Sequence, residues 1–489
     1  MRLKKGFNRK VRKRRKGAHE SQRLFRQRNR KIVESVSKIL WSLLSSEPSS
    51  ERGALAPRWG TNMLRKPTGA NAPRSLELTI TYLLYFRKTA IIMNSMSNLY
   101  RQRLERYTTA MRNGKPDRVP IRPFAAEVTA VYAGMSCQDV TQDYNLAFEA
   151  ILKCCRDFDW DATPANMVYV WSGVVQAAAI KYYALPGVQI PPTSAFQYIE
   201  PPEDEAYMHD DEYDTLIADP TGFLANRWLP RVTHTVKAPG EVNTFDNNMT
   251  LLTGMAAMKN YFNAYGPHCA KMQTETQTPG AICGILKAPF DILADKLRGY
   301  KALCMDMYTR PEKVVAACEA LTPHLLYMAK RTSDPSKTLP VGLWLHRGCV
   351  PFVSPPQFEK FFWPTLKYII EELWKDGIQT LFYAEGNWNP NLKHTKQLPE
   401  KSIVYHVDRG DIFEVHREVG EKFCISGGIP NDLLAFGTPD EVRECVRKII
   451  EGIGRDGGYI CDASAIMQDD TKIENLRAMG EAAREFGEY

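Results

Sequence analysis

The second half of the chain alternates between stretches typical of β-strands and stretches typical of α-helices. Predicted strands cover residues 378–384, 402–407, 422–427 and 457–463, with helical patterns between them. A spacing of roughly 20–35 residues between such strands is typical of parallel strands joined by crossover helices. This alternation therefore limits the fold to an α/β architecture.

Helix starts can be read from the sequence as well. Ser354 and Thr438 each begin a capping box, in which Gln or Glu follows three residues later and proline occupies the first helical position. Thr309, with an acidic residue three positions on, is predicted to cap a further helix in the same way. These signals place helices between the predicted strands.

Two architectures fit the alternation, the open doubly wound sheet and the (β/α)8 barrel. No GxGxxG or GxxxxGK[ST] sequence follows any of the predicted strands, so the nucleotide-binding form of the open sheet lacks its phosphate loop. About 390 residues of one continuous pattern suit a barrel with an elaborated N-terminal part. We therefore expect an α/β fold of the (β/α)8 TIM-barrel type over residues 93–489.

Residues 1–92 differ from the rest of the chain. Residues 1–31 hold fifteen Lys or Arg and one acid, and block charge of this kind is typical of disordered segments. The stretch fits a targeting segment, a nucleic-acid-binding arm, or a mis-start upstream of Met93 or Met96. The other 458 residues hold 49 bases and 55 acids. The excess positive charge therefore belongs to this extension, and nucleic acid is not an expected partner of the barrel.

The eleven cysteines predict a reducing compartment. Their number is odd, they are scattered, and no CxxC occurs. This pattern indicates free thiols in an intracellular, cytoplasmic protein rather than a disulfide scaffold. No apolar run reaches 18 residues, so we expect no membrane span.

Polar residues collect where the predicted strands end. In a barrel these C-terminal ends face the active site. The stretch "LFYAEGNW" ends an apolar strand on Glu385, and a buried carboxylate must be paired or bind a metal. The candidate residues at the ends of the predicted strands are Trp344, His346, Glu385, Asn387, Trp388, His406, Asp408, Arg409 and Cys461.

The residues at these strand ends allow two interpretations, a metal site or a site without metal. His, Glu and Cys from separate strands can supply the three side-chain ligands of a catalytic zinc. Alternatively, His346 is a hydrogen-bonded histidine at a strand end and Cys461 a small core residue. Glu385 could then act without metal as a general acid or base.

Several longer stretches carry a resemblance. They are "GKPDRVPI" (114–121), "LRGYKALCMDMYTRPEKV" (297–314), "SPPQFEKFFWPTLKYII" (354–370) and "ISGGIPNDLLAFGTPDEVRECVRKII" (425–450). In order and spacing the chain resembles the uroporphyrinogen decarboxylase superfamily. That superfamily contains the tetrapyrrole decarboxylase and corrinoid-dependent methyltransferases, and the resemblance implies a (β/α)8 barrel.

The resemblance to the decarboxylase itself is incomplete. That enzyme carries an arginine-rich segment after its "DRVP" opening, which holds the many carboxylates of its substrate. Here the segment reads "IRPFAAEVTAVYAGM", with Arg122 as its only arginine. We therefore do not expect the tetrapyrrole reaction.

The methyltransferase branch implies its own ligand set, a His-x-Cys after one strand and a later Cys, all on zinc. In this chain Tyr383 stands at the His place and Glu385 at the Cys place, while Cys461 lies three or four residues early. The implied metal ligands are Glu385, His406 and Cys461, which would hold zinc or another divalent ion.

The expected function is methyl transfer between a small organic substrate, donor or acceptor, and the cobalt of a partner corrinoid protein. Methylcobalamin would arrive on that partner, since the chain has no Asp-x-His-x-x-Gly module. Glu385, His406 and His346 are the expected catalytic residues. Residues expected to bind substrate are Trp344, Asn387, Trp388 and Arg409.

Two other classes remain open. One is a decarboxylase or lyase of the uroporphyrinogen decarboxylase type acting on a tetrapyrrole or other carboxylic acid, with Arg347 or Arg409 holding a carboxylate. The other is a barrel without catalytic activity.

Overall fold

Residues 98–168, 171–201 and 205–489 are described by the computed structural model. The expectations that concern residues 1–92, a disordered extension and a domain boundary at residue 93, lie outside these ranges. They stay predictions.

A six-stranded parallel sheet forms the centre of the described region. Every residue of three of its strands, Val341–Leu345, Thr380–Ala384 and Ile403–Val407, is buried. Strands covered on both faces are built from continuous apolar runs, which is why these segments are rich in Val, Ile, Leu and aromatic residues. The strands in chain order are β1 (Tyr183–Ala184), β2 (Gln197–Tyr198), β3 (Cys283–Lys287), β4 (Val341–Leu345), β5 (Thr380–Ala384), β6 (Ile403–Val407), β7 (Cys424–Gly427) and β8 (Tyr459–Ile460).

Two extended segments close this sheet into a ring. Residues 119–126 lie beside β8, where Ile121 and Cys461 form a parallel bridge. Residues 161–163 fill the remaining gap, because the N–H groups at their two ends donate to the carbonyls of Ile121 (2.9 Å) and Pro279 (3.2 Å), just before β3. Eight segments thus complete the circle, and the predicted (β/α)8 barrel is confirmed.

Helices follow the strands and cover the outside of the barrel. The predicted capping boxes at Ser354 and Thr438 are both present, with each hydroxyl accepting from the backbone N–H three residues later. The α-helices are Asn98–Met111, Val128–Ala133, Cys137–Gln142, Tyr144–Phe158, Ser172–Ala177, Tyr213–Ala218, Pro220–Phe223, Leu229–Val232, Phe245–Lys271, Pro289–Ile292, Tyr300–Thr309, Pro311–Thr332, Pro355–Gln357, Trp363–Lys375, Leu392–Thr395, Ile412–Val419, Asn431–Phe436, Pro439–Ile449 and Ile473–Phe486. Single π-helical turns occupy Leu224–Trp228, Met272–Thr276, Leu293–Leu297, Phe358–Phe362 and Ile450–Gly454.

The helix cap predicted at Thr309 is wrong. Thr309 is the last residue of its helix, and its hydroxyl donates to the carbonyl of Met305 (3.0 Å). Arg310 separates this helix from the next, which begins at Pro311. Thr309 therefore ends the earlier helix, and the N-cap position of the next helix falls on Arg310, whose side chain makes no capping hydrogen bond.

No helix in the described ranges is long and apolar enough to cross a bilayer. All eleven cysteines lie in these ranges, and each is a free thiol.

Candidate active site at the barrel mouth

Four aromatic side chains form a layer across the inside of the barrel. Trp344, Tyr383 and His406 are register partners on β4, β5 and β6, so their side chains share the inner face. Their rings stack in parallel, with centroids 4.6 Å apart for the first pair and 4.3 Å for the second. Phe124 meets all three edge-on at 5.4–5.8 Å. We call these four residues the aromatic floor, because the strand ends rise above it.

His406 belongs to this floor and carries no exposed surface. Its Nε2 lies 3.0 Å from the carbonyl oxygen of Ser464, and its Nδ1 lies 3.0 Å from Oγ of Ser426. Since a carbonyl only accepts, Nε2 carries the hydrogen and Nδ1 accepts from the serine. Burial, and then the charge of Arg122, hold the pKa of His406 well below its usual value. The ring is thus neutral with both nitrogens in use, which does not fit its predicted roles as catalytic residue and metal ligand.

The predicted ligand set of Glu385, His406 and Cys461 is not brought together. Cys461 is fully buried in the apolar layer beside Ile121, and burial raises the pKa of its thiol. Glu385 is the one member at the mouth, with its side chain 46% exposed. Across the described residues, no group of three or more His, Cys, Asp or Glu side chains could hold a metal ion. The residues therefore do not fit the zinc site expected from the sequence.

His346, in contrast, lies at the centre of a charged cluster just after β4. Its Nε2 is 3.5 Å from the Glu385 carboxylate, and its Nδ1 is 3.2 Å from Oδ2 of Asp295. Lys287 Nζ lies 2.9 Å from the same Nδ1 and 2.7 Å from Asp295. The contact between His346 and Glu385 joins two of the three predicted catalytic residues. We call the following set the mouth cluster: Lys287, Asp291, Asp295, His346, Arg347 and Glu385.

The electrostatics of the mouth cluster favour a protonated imidazole. Burial and the charge of Lys287 act against the charged form of His346, but the hydrogen bond to Asp295 and the charges of Glu385 and Asp291 outweigh them. The pKa of His346 is therefore raised above its usual value. An imidazole in this state can donate a proton near neutral pH and accept one afterwards.

The pKa values of the two aspartates of the cluster are shifted in opposite directions. Asp291 is fully buried, and burial followed by the charge of Asp295 raises its pKa to about 6. Its carboxylate accepts from the backbone N–H groups of His346 (3.2 Å) and Arg347 (2.8 Å), which fixes the turn after β4. Asp295 is also buried, but His346, Lys287 and Arg347 lower its pKa. Asp295 thus remains the anion that neutralises the cations around it.

A second polar group is enclosed beside the floor. Arg122 and Asp462 are both fully buried, with Nη1 and Oδ2 3.6 Å apart, and the guanidinium lies 4.0 Å from the ring centroid of Phe124. None of the three guanidinium nitrogens has a hydrogen-bond partner among the described residues, nor has the Tyr383 hydroxyl. Burial raises the pKa of Asp462 to about 7, although Arg122 opposes this. A buried donor without a hydrogen-bond partner lowers the stability of the fold. This enclosure is therefore suited to a polar group of a ligand or to water.

Three predicted substrate-binding residues are not part of a pocket. Trp388 is buried outside the barrel wall, where it contacts Phe382 of β5 edge-on, and its indole N–H donates to the Glu385 carbonyl (2.8 Å). Asn387 is exposed and uses its backbone carbonyl to bridge the loop after β4. Arg409 is exposed on the rim. Of the four residues predicted to bind substrate, Trp344 alone faces the barrel interior, as part of the floor.

The sequence interpretation missed three members of the cluster: Lys287, Asp291 and Asp295. The signal was available in "AICGILKAPFDILADK", an apolar run that ends on a lysine and is followed by proline at the start of a helix. Two carboxylates four residues apart then share one helix face. Taken as a strand, this run ends on Lys287, and both carboxylates follow that strand end.

Glu127, another buried acid, allows a test of how burial shifts the pKa of a carboxyl group in this fold. Both its carboxylate oxygens are buried without a hydrogen-bond partner among the described residues, and burial raises its pKa to about 7. A raised pKa means that its contribution to stability is full below about pH 4.3 and lost as the pH rises through 7. Glu127→Gln should therefore raise the free energy of unfolding at pH 8 by on the order of 3 kcal/mol, and by less at pH 5.

Urea unfolding of the wild type and Glu127→Gln at both pH values measures this difference. The exposed Glu105→Gln is the matched control and should show no such pH dependence. Equal effects of Glu127→Gln at pH 5 and pH 8 would mean that this carboxyl is not held neutral by burial.

Comparisons with known proteins agree with the barrel. The family profile described as Uroporphyrinogen decarboxylase (URO-D) matches residues 234–486, just over half of the chain. No curated protein matches the chain. Among solved structures, a methyltransferase from Methanosarcina mazei is similar with a TM-score of 0.53 and 14% sequence identity, over 78% of this chain and 98% of that one. At this identity the likeness shows a shared fold.

Proposed function

The chain belongs to the uroporphyrinogen decarboxylase family, and from that premise we propose that it is a methyltransferase of a corrinoid-dependent system. It would move a methyl group between a small organic substrate and the cobalt of a corrinoid carried by a partner protein. The fold shared with a methyltransferase supports this proposal. The observation that carries it is His346, held at the mouth between Asp295 and Glu385.

The mouth cluster can perform the proton transfer that such a reaction needs. The corrinoid, as the second substrate, supplies a nucleophilic cobalt and takes the methyl group. The bond between the methyl carbon and the substrate heteroatom breaks, and the heteroatom keeps the electron pair. His346 then gives its proton to that heteroatom, while Asp295 holds the ring by its other nitrogen. In the reverse direction the imidazole takes the proton back.

A protein partner also needs a surface to bind. Among the exposed apolar side chains are Phe245, Met255 and Phe262, which are 76%, 62% and 63% exposed. All three lie on the helix Phe245–Lys271. Exposed apolar patches commonly mark protein–protein contacts. This helix is therefore our candidate for the surface that binds the corrinoid protein.

A carboxy-lyase is the second candidate, and one observation favours it. The guanidinium of Arg122 makes no hydrogen bond among the described residues and lies 3.6 Å from Asp462, so it could hold a single carboxylate beside the floor. Two other cations of the mouth are already engaged, since Lys287 and Arg347 both bind Asp295 at 2.7–2.8 Å. A substrate with many carboxylates would meet few free cations here, so this alternative concerns a small acid rather than a tetrapyrrole.

The deciding experiment follows methyl–cobalt formation by visible absorbance. The full chain is mixed with a purified, reduced corrinoid protein and with a panel of O-, N- and S-methylated compounds. We expect a spectral change that requires both the chain and one class of methylated compound. Release of carbon dioxide from a carboxylic acid, without any methyl–cobalt signal, would refute the methyltransferase and support the lyase.

A further inference from the structure

Three tyrosine rings surround one ammonium group close to the mouth. The Nζ atom of Lys296 lies 4.2 Å from the ring centroid of Tyr198, 4.5 Å from that of Tyr182 and 5.5 Å from that of Tyr183. We call these three rings the tyrosine cage. A cation within about 6 Å of several aromatic faces is the arrangement by which proteins recognise ammonium groups.

The cage is built on regular backbone structure. β1 and β2 pair in antiparallel fashion, and Tyr183 lies directly opposite Tyr198. The backbone N–H of Ile199 donates to the carbonyl of Tyr182 (2.9 Å), which extends this pairing by one step. The rings also contact each other, with centroids 4.7–6.2 Å apart. The three rings are thus held in place before any ligand arrives.

The cage is also tied to the mouth cluster through the backbone. The Tyr198 hydroxyl donates to the carbonyl of Asp295, the residue whose side chain binds His346. The indole N–H of Trp228 donates to the carbonyl of Lys296 (2.7 Å). The cage therefore surrounds Lys296, the residue that directly follows Asp295 of the mouth cluster.

Lys296 itself is held in the cage by the rings. Among the described residues, no hydrogen bond or ion pair to its ammonium adds to these contacts. Burial, and then the charge of Lys287, lower the pKa of Lys296 to about 8. A quaternary ammonium has no N–H to satisfy and is covered by methyl groups that contact the rings directly.

We propose that the tyrosine cage binds the quaternary ammonium head of a small cationic ligand, and that the Lys296 side chain occupies the cage until this ligand displaces it. If the chain is a methyltransferase, this cationic ligand is its methylated substrate, and that part of the inference rests on the proposed function. The binding of the cation does not depend on any reaction.

Isothermal titration with choline tests the cage directly. Lys296→Ala removes the competing ammonium, so the variant should bind choline about tenfold more tightly than the wild type does. The uncharged isostere 3,3-dimethyl-1-butanol has the same shape and should bind to neither. Adding Tyr198→Leu to Lys296→Ala should remove choline binding. Lys153→Ala is the matched control, because that lysine lies over the single ring of Tyr132 at an exposed site and should not change affinity.

The proposal is overturned if Lys296→Ala binds choline no better than the wild type while its circular dichroism shows a folded protein. Equal binding of choline and its neutral isostere would overturn it too, since the charge would then not matter. The titration contains no corrinoid protein. A failed methyl–cobalt assay with intact choline binding would therefore refute the proposed function and leave the cage standing.

Discussion

Asp295→Asn should be the most damaging single substitution at the mouth. The carboxylate is buried and binds Lys287, His346 and Arg347 at 2.7–3.2 Å. Removing its charge leaves these half-buried cations without the anion they share, and breaking a buried ion pair typically costs about 3–5 kcal/mol. Because the pKa of Asp295 is lowered in the folded state, its contribution is present above about pH 4 and lost as the pH falls. We expect lower stability at pH 7 and a flatter acid limb of the stability curve.

Urea unfolding from pH 3 to pH 8 measures this effect, together with the methyl–cobalt assay. The matched control is Asp306→Asn, another buried carboxylate, which binds Arg298 and Arg310 at 2.6–2.7 Å away from the mouth cluster. Both variants should lose stability, but Asp295→Asn alone should lose activity beyond its folded fraction. Equal specific activities of the two folded variants would contradict the role given to Asp295.

The second large effect is expected at His346. His346→Gln keeps a polar side chain but removes the proton donor, so the rate of methyl transfer should fall by roughly 10²–10⁴-fold. Because the pKa of His346 is raised, the wild-type rate with a substrate that needs protonation should decline at a higher pH than an ordinary histidine would give. Glu385→Gln removes one cause of that raised pKa, so the decline should move to lower pH.

Rates measured from pH 5 to pH 9 for the wild type and both variants check these statements. Elemental analysis of the same preparations separates the acid–base role from the metal-ligand role first expected of Glu385. A pH profile unchanged by Glu385→Gln would mean that this carboxylate does not act on the imidazole.

Much of the fold could be predicted because its signals are local. The capping boxes at Ser354 and Thr438 depend on residues three positions apart, and the apolar runs of the strands depend on burial alone. The same local pattern placed Glu385 at the end of β5 and His346 just after β4, and the structure brings these two within 3.5 Å.

The position of His406 could not be predicted in the same way. Glu385 follows β5, but His406 lies within β6, where its register partner is Tyr383, two residues before Glu385. The stagger between neighbouring strands depends on the shear of the closed barrel, which the sequence of a single strand does not show. Trp388 shows a related limit, since the loop after β5 turns its indole to the outer layer.

The seam between the segment 119–126 and β8 bears on how the chain folds as it is made. Ile121 and Cys461 lie 340 positions apart, and Val119 in the same segment donates its N–H to the carbonyl of Gly487, just after the last helix (2.9 Å). Contacts this distant in sequence are slow to form, because a long loop must close before they stabilise anything. During synthesis, the segment 119–126 remains unpaired on one side until β8 has left the ribosome. Its apolar edge is then a natural target for chaperones, and ribosomes stalled before residue 459 should yield aggregation-prone chains rather than partial barrels.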